Sequence, residues 1–150
     1  MYRIILVHPS QRQLQRILWK DSYNGPIKTY ELATVTYGTA NAPFLAMRTL
    51  KQLAIDERKR YPAAAAVLES DLYMNDVLSG SDDLETAKNL QRELIDILSS
   101  GTMSLHKWCG NTAELVINGE SYPFSNPEET KTLGVVWKSK NGLFLLQSCE

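Results

Sequence analysis

Cysteine is scarce in these 150 residues: only Cys109 and Cys149, far apart, with no C-x-x-C pair and no histidine at zinc spacing. That excludes a disulfide framework and a zinc knot as the source of stability, and two reduced thiols are the simple reading. Long hydrophobic runs are also missing. Nothing approaches the ~20 apolar residues needed to cross a bilayer, and the opening MYRIILVHPS has neither the basic stretch nor the small-residue cleavage site of a secretory signal. The expectation is an intracellular protein of cytoplasm or nucleus. An excess of charge of one sign is absent too: 16 Lys and Arg face 17 Asp and Glu, a net of -1. Long-range attraction to a polyanion is therefore not expected, and binding to nucleic acid should be weak and salt-sensitive. The clusters Arg12, Arg16, Lys20 and Arg58, Lys59, Arg60 read first as solvated surface and second as local basic patches. There is no internal repeat or low-complexity tract. What remains is an ordinary composition, 43% hydrophobic and 22% charged, for one domain able to bury about two-thirds of its unfolded surface.

Periodicity gives the order of elements. Ile4 to Val7 is a β-branched run closed by His8-Pro9, Gln15 to Lys20 is a second extended segment, and Lys28 to Tyr37 alternates well enough for a third. Turn residues crowd Asp21 to Pro26 between the last two, so the three are expected to pair as neighbours. Asn41 is placed to cap a helix with Pro43 in its first turn, and Met47, Leu50, Leu53 and Ala54 recur at helical spacing until Arg60-Tyr61-Pro62. Ala63 to Leu68 is an apolar run that reads as the approach to a hairpin over residues 67–80. A second helix is predicted from Asp82, with Asp82 and Glu85 as a capping box, a face of Leu84, Ala87, Leu90, Leu94 and Leu98, and Gly101 as its stop. Met103 to Cys109, Glu114 to Ile117, Thr132 to Lys138 and Leu143 to Gln147 follow as strands, with Asn118-Gly119 and Asn141-Gly142 as hairpin turns. Strands, helix, hairpin, helix, strands is the pattern of an α+β domain with helices on one face of an antiparallel sheet.

Between the helices stands Tyr73-Met74-Asn75-Asp76, an aromatic and a polar pair at a hairpin tip. Ordered motifs on both sides accompany it: Met1 to Pro9; Gln15 to Trp19 with Tyr30-Glu31-Leu32, Val35 to Gly38 and Ala42-Pro43; Leu105 to Trp108 with Asn111; and Lys131 to Trp137. With these, the chain resembles over essentially its whole length the reverse transcriptase of Bel/Pao-type long-terminal-repeat retrotransposons. The resemblance implies a palm over about residues 1–110, and a primer-grip hairpin with the start of the thumb over about 111–150. It also implies RNA-directed DNA polymerisation with Mg²⁺, on an RNA or DNA template-primer with deoxynucleotides.

The roles implied are specific to positions. Asn75 and Asp76 fall where the Tyr-x-Asp-Asp pair carries metal, Lys107 near the outgoing pyrophosphate, and Tyr2 under the nucleotide sugar. Met74 and Tyr73 fall at the primer end, and Gly38, Pro43, Leu133 and Gly134 on the nucleotide and primer side. Structural readings stand beside three of these: a frayed chain start for Tyr2, a turn filler for Met74 and a strand-edge charge for Lys107. The family's upstream aspartate would lie before Met1, and the first hairpin carboxylate is an amide here, so Asp76 is a vestigial metal position. Two Mg²⁺ ions in line with an attacking hydroxyl depend on carboxylate charge. The expectation is a catalytically inactive palm fragment, with a retained nucleic-acid-binding or polymerase-interacting module as the alternative.

Overall fold

The computed structural model describes residues 1–74, 76–106, 108–115, 130–132, 135–138 and 143–146. The chain divides into two units, Met1–Gln52 and Leu53–Glu150, and is a mixture of helices and small antiparallel sheets, as an α+β reading requires.

In the first unit, strands β1 (Arg16–Trp19) and β2 (Lys28–Glu31) pair antiparallel with Arg16 opposite Glu31 and Trp19 opposite Lys28. The turn-rich Asp21 to Pro26 joins them, as expected. The predicted first strand is shorter than its β-branched run suggested. Tyr2–Ile4 is a 3₁₀ turn, closed by Ile4 N–H to Met1 O and Ile5 N–H to Tyr2 O, and only a single bridge, Leu6 with Thr34, follows. Two bonds frame that bridge, Val35 N–H to Ile5 O and Val7 N–H to Ala33 O, both 2.9 Å. The third segment is broken at the same place because its partner changes: Glu31 still pairs with β1, whereas Ala33 and Val35 bond to residues 5 and 7. The three segments are therefore neighbours, with the third in the middle. Beneath them Tyr2, Val35, Ala42 and Ala46 are buried together.

Helix α1 (Ala42–Glu57) begins where Asn41 supplies the carbonyl for Leu45 N–H, with Pro43 in its first turn. Its buried positions Ala42, Ala46, Leu50 and Ala54 recur every four residues, one stripe of an amphipathic helix.

The second unit corrects the reading of Ala63 to Leu68. These residues are not an approach strand but most of helix α2 (Pro62–Ser70). Four consecutive alanines have the highest helix propensity, and proline suits a first helical turn. Tyr61 at the N-cap makes no side-chain cap; instead Glu93 Oε2 accepts from Ala63 and Ala64 N–H at 3.0 and 3.1 Å. Sequence-local signals could not reveal a cap supplied thirty positions away. α2 packs on helix α3 (Leu84–Ser100), which buries Leu94, Ile97 and Leu98; Leu68 and Ile97 are the largest fully buried side chains. The cap of α3 is Asp83, not Asp82: its carboxylate accepts from Thr86 N–H at 2.8 Å and from the Thr86 hydroxyl at 2.6 Å. Gly101 ends the helix as predicted.

Residues 103–106 and 108–110 form no strand; Thr102 turns at φ 58 and Met103 N–H returns to Leu98 O. Ala113–Leu115 is a 3₁₀ turn rather than a strand. β5 (Thr130–Thr132), β6 (Val135–Lys138) and β7 (Leu143–Leu146) make an antiparallel sheet, so the predicted strand over Thr132 to Lys138 is divided between β5 and β6. The Asn118-Gly119 and Asn141-Gly142 turns lie outside the described residues. Among those described, the strands fall into three separate sheets.

Candidate functional site

The hairpin at the centre of the sequence argument is short and tight. β3 (Leu72–Tyr73) and β4 (Asp76–Val77) pair antiparallel with Leu72 opposite Val77 and Tyr73 opposite Asp76. Met74 takes φ 55, a left-handed conformation that is uncommon for a residue with a Cβ. Tight reversals that match the right-handed twist of their strands favour positive φ, and Met74 carries that geometric cost here. Asn75 itself lies outside the described residues. Tyr73 is 64% exposed, whereas Asp76 is half-buried.

The base of the hairpin is held by Asp71. Its N–H caps α2 by bonding to Val67 O, and its backbone carbonyl accepts from Leu78 N–H at 3.1 Å. The carboxylate accepts from the Ser79 hydroxyl at 2.6 Å and from the Ser70 hydroxyl at 2.8 Å. These bonds, Ser79 first and Ser70 second, hold the Asp71 carboxyl below the ordinary range, since they stabilise the charged form. Asp71 is therefore the clasp of the hairpin, with both oxygens engaged.

The remaining sequence-predicted positions fall elsewhere. Tyr2 is 7% exposed, packed in the core of the first unit with its ring edge-on to Tyr37 at 4.5 Å between centroids, so the chain start is anchored rather than frayed. Gly38 has φ +82 with nothing within 4 Å of where a Cβ would sit, so its glycine answers a turn and not a close approach. Pro43 is half-buried in the first turn of α1. Tyr2, Gly38 and Pro43 thus belong to the first unit, and Tyr73, Met74 and Asp76 to the second. Lys107, Leu133 and Gly134, like Asn75, lie outside the described residues.

The donor set is a poor fit to a two-Mg²⁺ centre. Asn75 brings a neutral amide, Asp71 is committed to two serines, and no group of three or more His, Cys, Asp or Glu that could hold a metal ion occurs among the described residues. Hard divalent ions need several oxygen ligands with charge among them.

Of the two basic clusters, Arg58 is ion-paired with Glu69, and Arg60 with Glu57 at 3.1 Å while it also lies over the Tyr61 ring. Sequence reasoning passed over another group. Trp19, Tyr23 and Tyr30 are 58%, 95% and 43% exposed on the β1–β2 hairpin, beside Arg16, Lys20 and Lys28. The signal was present as aromatic and basic residues interleaved between positions 16 and 30, and the near-zero total charge hid it.

No helix of the described residues is long and apolar enough to cross a membrane. No protein-family model, no curated protein and no solved structure matches the chain.

Proposed function

We propose that the chain is a palm segment of a Bel/Pao-type reverse transcriptase whose nucleotidyl-transfer chemistry has been lost at the hairpin. The observation that supports it most is the short antiparallel pair of β3 and β4 between helices α2 and α3, with Met74 at φ 55. The resemblance asks for a hairpin at that point, and backbone strain at such a tip is a feature found at functional sites. The antiparallel pairing of β5 with β6 lends the same support to the primer-grip assignment.

Joining a primer hydroxyl to a nucleotide α-phosphate calls for two metal ions that share carboxylate ligands. The amide of Asn75 removes charge from the position that the resemblance makes a main ligand, so the hairpin is a former metal site. What such a palm keeps is its shape. The test is assembly: the chain is joined to an upstream segment carrying fingers and a first aspartate and to a thumb, and Asn75→Asp is introduced. Extension of a primed template in Mg²⁺ supports the palm reading. A folded assembly that binds template-primer yet never extends it overturns the reading.

A further inference from the structure

The charge of this chain is not spread evenly. Residues Met1–Gln52 hold seven Lys and Arg against two acidic residues, Asp21 and Glu31, a net of +5, which leaves -6 for the second unit out of the total of -1. The two acids are already matched, Glu31 by Arg16 at 2.8 Å and Asp21 by Lys28. The surplus is wholly positive, and in and just before the hairpin it consists of Arg12 and Lys20. Lys20 has no ion-pair partner among the described residues, and with Ser22, Tyr23 and Asn24 it lines an open hollow at the hairpin tip.

The hairpin itself is unusual in being exposed at all eight strand positions. A lone two-stranded ribbon is marginal in water and normally buries one face. Here the register puts Ile17 and Tyr30 opposite each other, and Trp19 and Lys28 next to them, on one face. Trp19 and Tyr30 are diagonal neighbours about 7 Å apart. Tyr23 adds a third ring at the tip, 95% exposed.

We propose that this β1–β2 hairpin is a binding surface for single-stranded nucleic acid. Flat rings of Trp19, Tyr30 and Tyr23 offer stacking to unpaired bases, and Lys20 with the basic first unit attracts phosphates, the combination that single-strand binders use. A duplex, whose bases are already stacked, gains only the phosphate contacts. An acidic protein surface, such as the second unit of another copy, would satisfy the charge but would leave the ring faces without their preferred partner. This surface does not rest on the palm reading, and it stands or falls whether or not the chain descends from a polymerase.

Fluorescence anisotropy of the full chain with a labelled oligo(dT) and with a duplex of equal length, at two salt concentrations, is the test. The single strand should bind more tightly than the duplex. Trp19→Ala should weaken it about tenfold, as for one lost stacked base, whereas Trp19→Tyr should retain most of the affinity, both with unchanged circular dichroism. Lys20→Gln should reduce the salt slope by about 0.7, one phosphate's worth on a single strand. Because Tyr23 is so exposed, Tyr23→Ala gives a second variant with no folding cost. Equal affinity for duplex and single strand, no loss in either aromatic variant, or a nucleic-acid-free dimer that Trp19→Ala dissociates would each overturn the proposal; the last would assign the hairpin to self-association.

Discussion

Replacing Glu93 should loosen the helix that delivers the chain to the hairpin. α2 is nine residues long, too short to persist by propensity alone, and its N-cap Tyr61 makes no side-chain cap. Two of its leading N–H groups are satisfied by one oxygen of Glu93 at 3.0 and 3.1 Å. Bonds to a charged acceptor are worth roughly 1.5–3 kcal/mol each when their loss leaves buried donors. Ala63 is exposed, however, so water can replace the acceptor there, while buried Ala64 is less accessible. The net loss should therefore fall near a lost helix cap, about 1–2 kcal/mol. For a unit of this size that is roughly 4–8 °C in Tm per kcal/mol. Glu93→Gln keeps an oxygen but loses the charge that favours a helix N-terminus, and it should cost about half as much. Thermal and urea unfolding followed by circular dichroism gives the stability change, and amide exchange at Ala63 and Ala64 locates it. Stability of Glu93→Ala within ~0.3 kcal/mol of the parent, below the ~0.5 kcal/mol lower end for a lost cap, with unchanged exchange at both amides, would refute the reasoning.

Leu68→Ala should cost about 2–5 kcal/mol, because Leu68 is fully buried in the unit where α2 packs on α3; urea unfolding measures it. Asp71 titrates below the ordinary carboxylate range chiefly because of Ser79, so its contribution to hairpin stability is present above the unfolded pKa and is lost as pH falls through the lowered folded value. NMR titration of its side chain should show Ser79→Ala moving the pKa up toward the ordinary value by more than Ser70→Ala does; an unmoved titration curve would remove the clasp from the account. Gly38→Ala places a Cβ at φ +82 and should destabilise the first unit by about 1–2 kcal/mol, read as a lower Tm with no new steric contact to relieve.

Local signals in the sequence carried the helices well. The helical spacing of Met47, Leu50, Leu53 and Ala54 and the run through Leu94 and Leu98 are visible as patterns, and α1 and α3 lie within a few residues of where those patterns put them. What was illegible depended on distant partners. Ala63 to Leu68 looked like a strand approach because an apolar run has no period to betray a helix, and its cap comes from Glu93 in another element. The third strand broke because its pairing partner changes after Glu31. For the candidate site, a hairpin was legible, but its strands span only Leu72–Val77 and not residues 67–80, because 67–70 belong to α2, and the engagement of Asp71 by Ser70 and Ser79 gave no local signal. The exposed ring face of β1–β2 was overlooked because total charge conceals how charge divides between units.

The most direct test of the central claim compares residue 75 alone in one assembly. The chain joined to upstream fingers, a first aspartate and a thumb is assayed for radiolabelled primer extension in Mg²⁺ and in Mn²⁺, once with Asn75 and once with Asn75→Asp. Residues that hold a metal pair act as one unit, so the account predicts no extension while Asn75 stays and robust extension after the change. Equal Mg²⁺-dependent synthesis by both forms, or synthesis by the present chain alone, would contradict the claim that this hairpin is a former metal site.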